Sequence, residues 1–400
     1  MKHLIILFTA FALFSCGGNE GSETTDPKTN NEDSTKVEEE AKIDIPEDRK
    51  YNDLAMYLAG KEGDNESTLK SLESSEAWKS YQKRIDLIWS NTNEKVPGMR
   101  EWADKELSEV NSESGTLFYP FSGPDFLHAD IFFPEFDNVV MIALEPIGSL
   151  PDMEEKAKKG SDEMYLNGVR KSLHSILGLS FFRTIAMADD LTGEVDGSLP
   201  VLMQFMNRTG HEVLYQEQVG VTADGKLSTD LKGMPDSTYV GNRYYFKKEG
   251  SDKIRTLTYF AANLQNMPYV SRSGLVANGL DQRTDFHAFL KSLDIRATYL
   301  KSASYLMHRP TFSKVRNVII DGSDYVLEDD SGIPIKFFDE DKWDLTFYGN
   351  YSFPISLFSE RHQPDLKEVY QGEGIKELPF GIGYQYKKGT SNLMLAKRKK

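Results

Sequence analysis

The 400 residues carry 62 acidic and 47 basic side chains, and a net charge of −15 argues against nucleic acid as a partner, because that partner needs a cationic face. The chain has one cysteine, Cys16, so a disulfide framework is excluded and no other thiol is available for catalysis or metal binding. Hydrophobic residues make up 39% and aromatic residues 12% of the chain, which predicts a packed globular body.

The first residues combine a weakly basic start, a short apolar run and the cysteine. The run Leu4–Phe14 is too short for a membrane-spanning helix, which needs about 20 residues. With Leu-Phe-Ser-Cys at positions 13–16 as the lipobox, the segment resembles the signal peptide of a bacterial lipoprotein. The resemblance implies that the signal peptide, residues 1–15, is removed and that Cys16 carries the lipid.

The same resemblance implies a place in the cell. The lipid on Cys16 would anchor the protein in the cell envelope, and Gly17 rather than an acidic residue points to the outer membrane, on its periplasmic or surface face. The alternative is a soluble secreted protein with one free thiol.

Residues 16–50 follow as a predicted disordered, acidic tether, because they nearly lack large apolar side chains. Asp33-Ser34-Thr35 resembles the O-glycosylation site of Bacteroidetes envelope proteins, and a plain linker is the alternative.

The globular body is predicted to begin with a helical subdomain, residues 51–114. Trp78, Tyr81 and Ile85 recur at helical intervals, and Pro97-Gly98 interrupts the run. The composition changes at Gly115, where aromatic, proline and glycine residues become frequent, so residues 115–400 are predicted to form the main domain.

Strands and helices alternate irregularly in this main domain. Helices are predicted at residues 162–177, at 285–308 and from about Pro364. Strands are predicted at residues 138–146, 201–205, 213–216, 244–246, 254–259, 325–327, 333–337 and 343–348, several of them paired as hairpins. Because the order lacks a strand–helix–strand rhythm, the sequence predicts an α+β fold with a largely antiparallel sheet.

The first candidate site is Asp125, His128 and Asp130, with Glu145 after the next predicted strand. A histidine between carboxylates can be oriented by one and act as a base, and the same groups can ligate a metal. The structural alternative is that Asp125 caps a helix, with His128 in its first turn.

The second candidate set is Arg309, Tyr348, Arg361 and His362, which are residue types common on ligand-binding surfaces. A cationic end of the helix before Pro310 explains Arg309, and a buried, satisfied hydroxyl explains Tyr348, without a ligand.

No recognised catalytic or cofactor motif appears, so no cofactor is predicted. The favoured hypothesis is a membrane-anchored envelope lipoprotein that binds a ligand or partner without catalysis. The alternative is a hydrolase-type enzyme that uses the His/carboxylate cluster around Asp125, His128 and Asp130, with or without a metal.

Overall fold

The structure is a computed structural model that describes residues 45, 46, 48–179, 195–235, 238–270 and 276–400. Residues Asp44–Lys400 form one compact unit. The predicted signal peptide, the lipidation site Cys16 and nearly all of the tether lie outside the described residues. None of the described helices combines the length and apolar character that crossing a membrane requires.

The helices and strands within the described residues have the following bounds. The α-helices are α1 Lys50–Leu58, α2 Glu76–Asn93, α3 Val96–Glu106, α4 Phe126–Phe132, α5 Met153–Lys158, α6 Asp162–Leu179, α7 Leu199–Arg208, α8 Thr284–Ser292, α9 Ser313–Gly322 and α10 Pro364–Gln371. The strands are β1 Thr116–Pro120, β2 Asn138–Ala143, β3 His211–Val221, β4 Leu227–Ser228, β5 Val240–Lys248, β6 Ile254–Ala261, β7 Tyr269–Val270, β8 Val276–Ala277, β9 Ile295–Leu300, β10 Tyr325–Glu328, β11 Trp343–Gly349 and β12 Asn392–Arg398.

One mixed sheet of ten strands organises the molecule, in the order β11-β12-β10-β9-β1-β2-β6-β5-β3-β4. The pairs near both edges are antiparallel, and they include the predicted hairpin of β5 and β6. The α+β prediction is confirmed. The sheet also has a centre that the sequence analysis did not anticipate, since β10, β9, β1, β2 and β6 run parallel to one another.

The central strands are buried on both faces, as parallel strands usually are. Along β1, Leu117 and Tyr119 belong to one hydrophobic cluster and Phe118 to the other. Helices α1–α4, α6 and α7 supply side chains to the first cluster, whereas α8 and α9 supply side chains to the second. The sheet therefore lies between two helical layers.

The region 51–114 is largely helical, and the apolar stripe of α2 packs against neighbouring helices, with Trp78 on Tyr57 of α1 and Trp89 on Phe205 of α7. Trp78, Tyr81, Ile85 and Trp89 are buried along α2, which Ser75 caps by accepting a hydrogen bond from the N–H of Trp78. These side chains share one hydrophobic cluster with α6 and α7, so this helical region packs directly on the main body.

Three element predictions were wrong. Residues 201–205 lie in helix α7 rather than in a strand. The helix predicted over 285–308 ends at Ser292, and strand β9 follows. Residues 335–337 form a short 3-10 helix instead of a strand. For residues 201–205 the reason is that a short, fully buried apolar run does not distinguish a helix from a strand by periodicity.

The parallel centre decides where the polar residues meet. The carboxyl ends of β1, β2, β9 and β10 lie at one edge of the sheet. At this edge four residues other than glycine have left-handed backbone, which is a strained conformation for side chains of this size. They are Phe121, Ser302, Ser304 and Tyr305, with φ between 53° and 60°.

Candidate functional site

Asp125 is placed at the sheet edge by the turn that leaves β1. Phe121, with φ 60°, turns the chain directly after the strand, and Asp125 then caps helix α4. Its carboxylate accepts a hydrogen bond from the N–H of His128 at 3.3 Å. The capping role predicted as the structural alternative is therefore present, and it leaves the rest of the carboxylate for other partners.

Three further groups surround the Asp125 carboxylate, which is 1% exposed. The Lys301 ammonium, directly after β9, lies 2.5 Å from Oδ2, and the Tyr119 hydroxyl donates to the same oxygen at 3.0 Å. Nδ1 of His128 lies 2.9 Å from both oxygens. We call Tyr119, Asp125, His128 and Lys301 the Asp125 cluster.

The charges in the cluster follow from burial and pairing. Burial alone would raise the pKa of Asp125, but the neighbouring His128 and Lys301 outweigh it and hold that pKa well below its usual range. Burial lowers the pKa of His128, and the Lys301 charge lowers it further while Asp125 opposes the change. At pH 7 the cluster therefore holds a lysine–aspartate ion pair and a neutral imidazole.

The tautomer of His128 follows from its neighbours. Nδ1 makes all of the ring's hydrogen bonds to described residues, and its nearest partners are the two carboxylate oxygens. A proton on Nδ1 can donate to that carboxylate, whereas an unprotonated Nδ1 would place two acceptors against each other. Nε2 is then the basic atom of the ring.

Two cavities adjoin the Asp125 cluster. The first, which we call the polar cavity, has a volume of about 60 Å³ and is bordered by Tyr119, Ser122, Asp125, Glu145, Lys301 and Ser302, among others. The second, the helical groove, has a volume of about 250 Å³ between α2, α3, α4 and α6. His128 lines the helical groove, so the Asp125–His128 contact joins the walls of the two cavities.

Unpaired hydroxyl groups line the polar cavity. The Ser122 hydroxyl is buried and has no hydrogen-bond partner among the residues that the structure describes, and the same holds for the Ser302 hydroxyl. Glu145, after β2, lines this cavity as well and is 3% exposed. The structure thus brings Asp125, His128 and Glu145 of the predicted site to the same sheet edge.

Asp130 lies apart from this group. It is two residues beyond His128 on α4, so its side chain leaves a nearly opposite face of the helix. It pairs with Arg100 at 2.8 Å and with the buried Arg255 at 3.6 Å, and His211 lies 3.3 Å away. The predicted grouping of Asp130 with His128 is thus corrected: Asp130 belongs to a separate buried ion-pair network.

The second predicted set is dispersed. Tyr348 is buried against Trp102 with ring centres 5.0 Å apart, and its hydroxyl donates to Glu106 at 3.1 Å. Its hydroxyl is satisfied inside the core, as the structural alternative expected.

The other three members lie nearer the surface. Arg309 is exposed, and Arg361 is half-buried beside Glu360. The His362 ring stacks on Phe353 at 4.3 Å. These contacts do not assemble Arg309, Tyr348, Arg361 and His362 into one ligand site.

Lys301 and Tyr119 are the members of the Asp125 cluster that the sequence analysis missed. Lys301 lay inside the helix predicted over 285–308, where a lysine is an ordinary surface residue. A usable signal would have been that Lys301 follows a segment with strand-favouring residues, Ile295, Thr298 and Tyr299. Glu145 likewise follows the apolar run 139–144, and residues after parallel strands meet at one edge of a sheet.

Three consecutive acids, Glu328, Asp329 and Asp330, occupy the end of β10 beside the polar cavity. Burial raises the pKa of Glu328 well above its usual range. Burial and the neighbouring Asp330 raise the pKa of Asp329 to about 7. Asp329 accepts hydrogen bonds from the N–H of Ser302 at 2.9 Å and of Ser331 at 3.0 Å, so it holds the strained turn after β9 in place.

Metal binding is not supported by this geometry. Across the described ranges no group of three or more His, Cys, Asp or Glu residues is arranged to hold a metal ion. The Asp125 carboxylate is instead occupied by Lys301, Tyr119 and His128.

The chain was compared with known families, proteins and structures. It matches no protein-family model, no curated protein and no solved structure.

Proposed function

We propose that this chain is a lipid-anchored protein of the cell envelope, held at the outer membrane through Cys16, that binds a small ligand in the polar cavity. The lipobox at positions 13–16 supports the anchor. One observation carries the binding proposal: Ser122, Asp125, Glu145, Lys301 and Ser302 converge on one cavity.

The position of the cavity supports ligand binding. Small molecules bind in such sheets outside the carboxyl ends of the parallel strands. Strained backbone is retained where the surrounding structure requires it, most often at functional sites, and Phe121, Ser302 and Ser304 all border this cavity. The unpaired hydroxyls of Ser122 and Ser302 would gain partners when a polar ligand binds.

The proposal can be tested by identifying small molecules that co-purify with the full-length protein. The protein is extracted from membranes, washed and denatured, and the released compounds are identified by mass spectrometry. Ser122→Leu fills the cavity, and Ser108→Leu at an exposed site is the matched control. We expect a compound released by wild type and Ser108→Leu that is lost in Ser122→Leu; the same profile for all three proteins would refute the proposal.

A second candidate function is hydrolysis by general-base catalysis, and one specific observation favours it. Asp125 orients His128 through Nδ1, so a basic Nε2 is available on the side of the ring away from that carboxylate. An imidazole held in this way by a carboxylate can take a proton from water that attacks an ester.

This candidate is tested with p-nitrophenyl acetate as the substrate. If His128 is the base, His128→Gln should reduce turnover by about 100-fold or more, whereas His287→Gln, on the opposite helical layer, should leave it unchanged. Turnover that survives His128→Gln would exclude His128 as the base. Absence of turnover in wild type would leave non-catalytic binding as the function.

A further inference from the structure

The helical groove is apolar along most of its wall. Ile88, Val96, Met99, Leu127, Ile131 and Leu177 line it. Leu87 also lines the groove and is 66% exposed, so it extends the apolar surface of the wall to the protein surface. An apolar ligand would remove this surface from water.

The rim of the groove carries a positive charge. Asn91, Thr92 and Lys95 complete its lining, and no acidic residue is among the described groups that line it. Lys95 is exposed and forms no ion pair with any residue in the described parts of the chain. In a protein with a net charge of −15, an acid-free groove with a free lysine at its rim favours an anionic head group.

One deeply buried part of the groove wall is uncharged. His128 lies there, and burial keeps its imidazole neutral at pH 7. Its Nδ1 atom contacts Asp125, which lines the polar cavity. This part of the wall therefore accepts an apolar group, and Lys95 carries the only charge among the described residues that line the groove.

We propose that the helical groove binds a single-chain alkyl carboxylate, with the chain against Ile88, Met99 and Ile131 and the carboxylate beside Lys95. This site goes beyond the proposed function, whose ligand lies in the polar cavity. The groove of about 250 Å³ has room for roughly eight methylene groups, if each takes about the volume of a water molecule in the liquid.

The chemistry gives a quantitative expectation. Each methylene that enters the groove should improve affinity about fourfold, which is the effect of burying one CH₂ group at ~0.8 kcal/mol. The gain should stop when the groove is full. Isothermal titration of the full-length protein with butanoate, hexanoate, octanoate and dodecanoate measures both quantities.

Two variants test the carboxylate and the alkyl chain of the ligand separately. Lys95→Glu should weaken octanoate binding about fivefold or more, whereas Lys83→Glu, an exposed lysine on the same helical layer, should leave it unchanged. Ile88→Trp should abolish binding by filling the groove. Because Lys95 is exposed, its variant remains informative even if the tryptophan variant fails to fold.

Absence of octanoate binding, equal affinity for octylammonium, or an affinity that does not depend on chain length each contradicts the proposal. Tighter binding of dioctanoylphosphatidylcholine than of octanoate would assign the groove to a two-chain lipid instead. Ser122→Leu, which tests the polar cavity, should bind octanoate like wild type, so the two proposals can fail separately.

Discussion

At the scale of single residues, Asp125 and Lys301 depend on each other. Both side chains are almost completely buried, and their charged atoms lie 2.5 Å apart. A buried pair is weak evidence of net stability, but removing one partner leaves an uncompensated charge in a medium that solvates it poorly. The same argument applies to Asp130 and Arg255 on the other side of α4.

We predict that Lys301→Met lowers the free energy of unfolding by about 3 kcal/mol, because Asp125 loses its cation. Urea denaturation of the two proteins at pH 7 measures the difference. The control is Lys105→Met, whose lysine is 81% exposed beside Glu106, and it should change stability by less than about 1 kcal/mol. Adding Asp125→Asn to Lys301→Met should recover part of the loss; no recovery would contradict the charge argument.

We also predict a loss of stability in acid that comes from His211. Burial lowers the pKa of His211 to about 4, and the charge of Arg255 contributes in the same direction. As pH falls below about 6.5, His211 is protonated in the unfolded chain but stays neutral in the folded protein. The free energy of unfolding therefore falls, by up to about 3 kcal/mol near pH 4.

The measurement is urea denaturation from pH 8 to pH 4 for wild type and His211→Gln. The variant is less stable at pH 8, where both side chains are neutral, but its free energy of unfolding should fall less steeply with acid. Parallel curves would show that His211 does not carry this proton linkage.

At the scale of elements, hydrogen bonds join the segments that follow β9 and β10. The turn after β9 contains the left-handed residues Ser302, Ser304 and Tyr305, and Asp329 after β10 binds the N–H of Ser302. The Tyr305 hydroxyl donates to Asp330, and Asn392 at the start of β12 donates to the same carboxylate. Strand ends, rather than flexible loops, therefore fix Lys301 beside Asp125.

At the end of β10, we predict that Glu328→Gln stabilises the protein at high pH. Burial holds the pKa of Glu328 well above its usual range, so the folded protein keeps a proton that the unfolded chain has already lost. The contribution of the Glu328 carboxyl to the free energy of unfolding of wild type is therefore present at low pH and is lost as pH rises.

Thermal or urea unfolding at pH 4 and pH 8 tests this prediction. The free energy of unfolding of Glu328→Gln minus that of wild type should be more than about 1 kcal/mol larger at pH 8 than at pH 4. The reason is that glutamine resembles the protonated acid and carries no proton to lose. A difference that is the same at both pH values would show that Glu328 is ionised in the folded protein.

At the scale of the whole molecule, the sequence pairs a predicted lipid anchor with an acidic body. The tether over residues 16–50 is acidic, so anionic lipid would repel it. If Cys16 carries the lipid, the polar cavity and the helical groove would both act at the envelope.

We predict that Cys16→Ser moves the protein from the membrane fraction to the soluble fraction of its cells, because the acyl chains provide the attachment. Cell fractionation followed by immunoblotting measures the distribution, and Ser22→Ala in the tether is the control. Intact-mass measurement of the native protein should show a lipid on Cys16. An unmodified thiol there would remove the anchor and with it the proposed location.

The sequence alone was sufficient to predict the α+β class, helix α6, the hairpin of β5 and β6, and the Asp125 cap of α4. Each of these depends on short-range periodicity or on turn and capping residues. The sequence also singled out Asp125, His128 and Glu145, which the structure places at one edge of the sheet. Only the tertiary structure made residues 295–300 a parallel strand and placed Lys301 against Asp125, 176 residues away along the chain. Strand order depends on packing between distant apolar segments, and no local pattern encodes that packing.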